Sequence, residues 1–225
     1  MKEFRKVLIY IDSILLPKGF KLFESQESGC IICDYRKSTN QSINSIAFLK
    51  REDKIKGFYY AVNFIEMELI IIPILTKNKL FGDVKPEKID ESFWVQKDTR
   101  YTLSDDGKDI SEYEEVINIF NLFYKQDALP FFEKWKDLSV LYEYIKDKTE
   151  REELSEILGQ FWQFKKAAIL RLCNDSSYED FMTKFVNRRE EILKMRPESI
   201  DVQRYYNASK ELKQVLDNTE PIYNV

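Results

Sequence analysis

The chain has 225 residues, of which 44% are hydrophobic and 33% charged, and a formal net charge of −4. That balance belongs to a folded globular chain and excludes the disordered class, while the acidic excess argues against a nucleic-acid surface. Histidine is absent, which removes Ser-His-Asp and Cys-His catalysis, histidine-bearing zinc sites and the commonest general base.

In chain order, Phe4, Val7, Leu8, Ile11, Ile14 and Leu15 recur at three- and four-residue spacing and predict an amphipathic helix. Asp12 interrupts this apolar stretch and no small-residue cleavage site follows, so the start does not read as a signal peptide. No apolar run reaches the roughly 18 residues that a bilayer span needs. Pro17 and Gly19 predict the helix stop. Strands are expected at 20–24, 30–36 and 43–49, joined by short polar links. A long central strand should follow, because Phe58, Tyr60, Val62 and Phe64 alternate with Tyr59, Ala61, Asn63 and Ile65. The continuously apolar stretch after it, ending near Pro73, is expected as a bend around Glu66 to Glu68 and then a second strand or edge segment. Phe93-Trp94-Val95 and Arg100-Tyr101-Thr102-Leu103 suit short late strands, and turn material at Asp105-Asp106-Gly107 marks a boundary.

Beyond it the period becomes helical. Ser111 with Glu114, Thr149 with Glu152 and Ser176 with Glu179 have capping-box spacing. Tyr113, Val116, Ile117, Phe120, Phe123 and Tyr124 make one apolar face. Pro130 suits the first turn of a second helix bearing Phe131, Trp135, Leu138, Leu141, Tyr142 and Ile145. A third carries Leu154, Ile157, Leu158, Phe161, Ala168 and Leu172, a fourth Phe181 and Phe185, and a fifth spans 199–216. The expected fold class is therefore α+β: an N-terminal helix packed on an antiparallel β-meander, followed by a C-terminal bundle of about five helices. The domains expected are 1–108, the sheet domain, and 109–225, the helical domain, the two being able to pack as one unit.

Chemical signals are few. Cys30 and Cys33 have C-x-x-C spacing, but positions three apart in a strand face opposite ways, so both read as small hydrophobes, and Cys173 as a packing residue. Glu66 and Glu68 would share a strand face, and Asp105-Asp106 a turn; solvated surface roles are the plainer reading of both pairs. The phosphate-loop, dinucleotide and nucleophile-elbow motifs are missing. Lys184, Arg188, Arg189, Lys194 and Arg196 form a basic cluster that suits phosphate contacts, although Glu190, Glu191 and Glu198 dilute it toward an ordinary solvated helix side. Trp94, Arg100 and Tyr101 suit a recognition patch or, more simply, core packing. No catalytic, cofactor-binding or metal-ligating residue is assigned, and no cofactor is expected.

Two stretches, Ile14-Leu15-Leu16-Pro17-Lys18-Gly19-Phe20-Lys21 and Ala128-Leu129-Pro130-Phe131-Phe132-Glu133-Lys134-Trp135, resemble a bacterial domain family of unknown function. Its members have an N-terminal helix, a Pro-x-Gly-Phe-Lys turn, an antiparallel sheet and a Leu-Pro-Phe-Phe helix start. The likeness covers about residues 2–145, leaves the helices after Thr149 unmatched, and carries no activity or functional residue across.

These readings together favour a cytoplasmic, bacterial, non-catalytic protein-interaction module, with toxin neutralisation of the immunity-protein type as one form of it. The partner expected is another protein, a basic one given the acidic balance, and not a membrane or nucleic acid. The alternatives are a carboxylate- or metal-dependent hydrolase and nucleic-acid binding through Lys184 to Arg196.

Overall fold

A computed structural model of the protein describes residues 2–27, 29–80 and 107–225. The strands expected at 93–95 and 100–103, the Asp105-Asp106 pair and the Trp94, Arg100 and Tyr101 patch lie outside those residues. Contacts divide the chain into two units: one draws its described residues from Met1–Val62 and Gln96–Lys136, the other from Asn63–Val95 and Asp137–Val225.

The first unit begins with α1 (Lys2–Leu15), whose stripe buries Val7, Ile11 and Leu15 completely. Pro17 enters a 3-10 turn, and Gly19, at φ 88°, closes it by donating its N–H to the Leu16 carbonyl at 3.0 Å. The strands β1 (Lys21–Glu27), β2 (Cys30–Ser38), β3 (Ser42–Arg51), β4 (Lys54–Phe64) and β5 (Lys108–Asp109) follow. Among the described residues they form a five-stranded antiparallel sheet in sequence order. Short links keep β1 to β4 adjacent, with Lys21 opposite Arg36 and Ser38 opposite Ile43, whereas β5 returns from far along the chain to set Asp109 opposite Lys54. The Tyr35 hydroxyl donates to Asp12 of α1 at 2.8 Å. After β5 comes α3 (Tyr113–Phe123), which passes through a π turn (Tyr124–Ala128) into α4 (Leu129–Lys134).

The core of this unit is aromatic. The Phe58 ring lies 5.7 Å from Phe48, 5.4 Å from Phe120 and 5.5 Å from Phe123, and Tyr60 lies 4.6 Å from Phe131. Strand alternation supplies one side of that cluster and the helical face of α3 the other.

The second unit is helical: α2 (Ile65–Lys77), α5 (Leu138–Ile145), α6 (Arg151–Leu158), α7 (Trp162–Leu172), α8 (Tyr178–Met195) and α9 (Ile200–Asp217). The stretch from Ile65 to Leu75, expected as a bend and a strand, is instead a helix. Its β-branched apolar run is ambiguous by period, because a fully buried helix and a buried strand look alike. Met67, Glu68, Ile71, Ile72, Ile74 and Leu75 are buried, whereas Leu69, Pro73 and Lys77 form an exposed stripe at four-residue spacing. The amide hydrogen that Pro73 lacks would have met the carbonyl of Leu69, and both residues lie on the exposed stripe, where the lost bond costs least.

Two helices expected to be continuous are divided. The face from Phe131 to Ile145 is shared by α4 and α5, with Asp137 extended at φ −140° before α5. The run from Leu154 to Leu172 is cut at Gly159 into α6 and α7. The capping boxes are also corrected. Side chains of the N-cap residues Glu112, Glu150 and Ser177 make no cap bond to α3, α6 or α8. Aspartates do related work nearby: Asp109, Asp137 and Asp175 accept from the backbone N–H of Ser111, Ser139 and Ser177 at 2.8, 2.7 and 2.6 Å. A carboxylate accepts more strongly than a hydroxyl and suits the positive end of a helix. Among the described residues no helix is long and apolar enough to cross a membrane.

Candidate functional site

The most distinctive surface of the second unit is built around the turn that separates α6 from α7. Gly159, at φ 67° and ψ −150°, occupies a region open almost only to glycine, and it ends α6. Two residues on, Phe161 adopts the left-handed conformation, φ 60° and ψ 28°. Packing holds it there: Phe161 is buried, its ring lies stacked 5.7 Å from Tyr205 of α9, and Phe164 meets it edge-on at 6.0 Å. The turn thereby sets Gln160, Trp162 and Gln163 on the wall of a cleft of about 740 Å³.

Three arginines line that cleft, Arg151 at the start of α6 and Arg188 and Arg189 on α8, and among the described residues no aspartate or glutamate does. Arg189 is fixed in place. It donates to Gln163 Oε1 at 2.7 Å and lies over the rings of Tyr205 at 4.5 Å and Phe185 at 5.3 Å. Burial is the main cause holding its guanidinium below the ordinary arginine value; Tyr205 opposes this, and the like charges of Arg188 and Arg151 add to it. Its Nε is buried without an acceptor. Arg188 pairs with Glu191 at 2.9 Å, but both side chains are mostly exposed, so the pair is weak and open to exchange. Arg151 is exposed. The half-buried Trp162 makes no ring contact and no side-chain hydrogen bond among the described residues.

A second groove of about 640 Å³, along α2, α8 and α9, differs in kind. Two of its lysines are answered locally: Lys77 meets Glu211 at 2.8 Å, and Lys213 meets Asp217 at 3.0 Å and Glu179 at 3.2 Å, while Lys210 lies over the Tyr206 ring at 5.4 Å. With Glu211 and Asp217 in its own lining, this groove offers less to an anion than the cleft does.

The structure thus divides the basic cluster seen in the sequence. Arg188 and Arg189 line the cleft, while Lys184 pairs with Asp180 at 2.6 Å and Lys194 with Glu190 at 3.4 Å. Sequence reasoning missed Arg151, Trp162 and Tyr205 as members of the site. Gly159 just ahead of an aromatic pair was the available signal for a tight, specialised turn.

Glu66 and Glu68 do not share a face. On a helix, residues two apart point well away from each other. Glu68 is fully buried in place of the expected surface role, and neither of its carboxyl oxygens has a hydrogen-bond partner. Burial pushes this carboxyl up, to about 8, against the opposing charge of Lys165. Burial likewise lowers Lys165, with Glu68 opposing, and the Lys165 ammonium donates to the Leu158 carbonyl at 2.6 Å. Glu66 is half-buried and raised, first by burial.

The three cysteines are free thiols. Cys33 and Cys173 are buried, and burial is the largest cause raising both thiols to about 12, far from a reactive thiolate. Among the described residues no group of three or more Cys, Asp or Glu is placed to hold a metal ion. No protein family, curated protein or solved structure matches the chain, so the cleft is argued from its own residues.

Proposed function

We propose that the chain is a non-catalytic binding module that receives an anionic group in the cleft formed by the α6–α7 turn, α8 and Tyr205. One observation carries this reading: three arginines and, among the described residues, no acidic residue line one concavity, the one carboxylate paired with them being the exposed Glu191 on Arg188, in a chain whose net charge is −4. Like charges gathered in this way repel one another, and an incoming anion relieves that repulsion. The arginine fork also matches the oxygens of phosphate and carboxylate groups, and Arg189 is held by its stacking before any ligand arrives. The reading departs from the basic partner that overall charge suggests, because local charge decides what a cleft accepts.

Titration calorimetry with inorganic pyrophosphate tests it. Saturable binding at one site is expected, weakened at least about ten-fold in an Arg151→Glu, Arg188→Glu double variant. Both side chains are exposed, so the variant should melt as the parent does. Absence of binding, or equal binding by the variant, removes the proposal.

A further inference from the structure

The anion-binding reading leaves Trp162 without a role. Its neighbours in the cleft are engaged: Tyr205 has Phe161 stacked 5.7 Å away, with Phe164 edge-on at 5.6 Å and the Arg189 guanidinium over its ring at 4.5 Å. Phe161 is buried. Trp162 is half-buried, as Tyr205 is, but unlike the other lining aromatics it touches no other ring among the described residues. An indole is costly to leave partly wet without a partner, and it offers the best face for stacking a planar group. Gln160, exposed on the same wall, carries an amide that can donate to and accept from a heterocycle edge.

Resting on the reading of the cleft as an anion site, we propose that its ligand is a nucleotide, with phosphate oxygens on Arg151 and Arg188 and the base stacked on Trp162. The combination of guanidiniums for phosphate and an unoccupied aromatic face for a base is the recognition logic of single-stranded nucleic acids and of free nucleotides alike. A cleft of about 740 Å³ falls within the range of small-ligand sites. Selectivity among bases is weak by this design, because every base has a stacking face and one amide supplies little edge reading.

The experiment follows tryptophan fluorescence and calorimetry on the full chain, titrated in parallel with inorganic pyrophosphate, phenyl phosphate, ADP and a twelve-residue oligo-uridylate. ADP is expected to bind about ten-fold or more tighter than pyrophosphate and to quench Trp162. A Trp162→Ala variant should lose the gain for ADP while keeping its pyrophosphate affinity. If pyrophosphate binds and ADP gains nothing over it, the nucleotide inference is overturned and the anion reading stands. If neither binds, both fall. Phenyl phosphate equal to ADP also overturns the inference, since a ring without a base edge would then suffice, as in a phosphotyrosine peptide. Oligo-uridylate tighter than ADP assigns the ligand to a single strand; oligo-uridylate no tighter assigns it to the free nucleotide. The comparison of ligands on the unaltered chain needs no variant to fold.

Discussion

The two units differ in the charged groups they bury. In the sheet unit, rings fill the core, Tyr35 is tied to Asp12 and Asn121 to Tyr10, and Asp127 is buried in the π turn. The helical unit takes Glu68 and Lys165 fully inside, and Lys166 nearly so. A core of rings is most sensitive to volume loss; a core holding a fully buried glutamate and lysine is the more sensitive to pH. The same helical unit carries the cleft, so the part of the molecule with a charged interior is also the part with an open, unmatched charged surface.

The contrast is broken most severely at its aromatic end. Phe58→Ala removes a wholly buried ring with three aromatic neighbours, and should cost about 3–5 kcal/mol in denaturant titrations. A cost under about 1 kcal/mol would mean that the rings are not the cohesive element of that unit. Acidity probes the other end. The Glu68 carboxyl is raised in the folded chain, so its contribution is full below the ordinary glutamate range and is lost as pH rises toward about 8. Lys165 is lowered toward the same region, so its burial cost eases only as pH rises above about 8. Melting temperatures should therefore decline from pH 5 to pH 8, with a loss of about 1–3 kcal/mol, and Glu68→Gln should flatten the decline. An unchanged slope in that variant would refute the assignment.

An effect of similar size is expected at Gly159. A methyl group there meets nothing within 4 Å, so Gly159→Ala isolates the cost of its backbone conformation, about 1–3 kcal/mol, and should loosen pyrophosphate binding by shifting the turn. The smallest belongs to Lys77→Ala, which removes an exposed pairing with Glu211 and should change stability by less than about 1 kcal/mol.

Much of this architecture was legible in the sequence. The stripe of α1, the Pro17–Gly19 stop and the alternation through β4 follow from spacing alone, and so do the opposed faces of Cys30 and Cys33. Helix α2 was not legible, because Ile70, Ile71 and Ile72 are as much at home in a strand, and only packing on both sides decides for a helix. The division at Gly159 was missed because apolar spacing continues across it. The starts near Ser111 and Ser176 were placed nearly correctly for the wrong reason, since Asp109 and Asp175, just upstream, accept backbone N–H bonds there in place of the serines. For the cleft, Arg188 and Arg189 stood out as neighbours in sequence. Arg151 and Trp162 did not, because which helices pack together is a property of the folded chain.

The placement of the thiols has a practical corollary. Cys33 and Cys173 lie in the interior with their protons held tightly, whereas Cys30 is half-buried at the start of its strand with its side chain on the other face of the sheet. A maleimide dye should therefore attach at one position under native conditions. The unaltered polypeptide comes with a built-in handle for fluorescence or spin labelling.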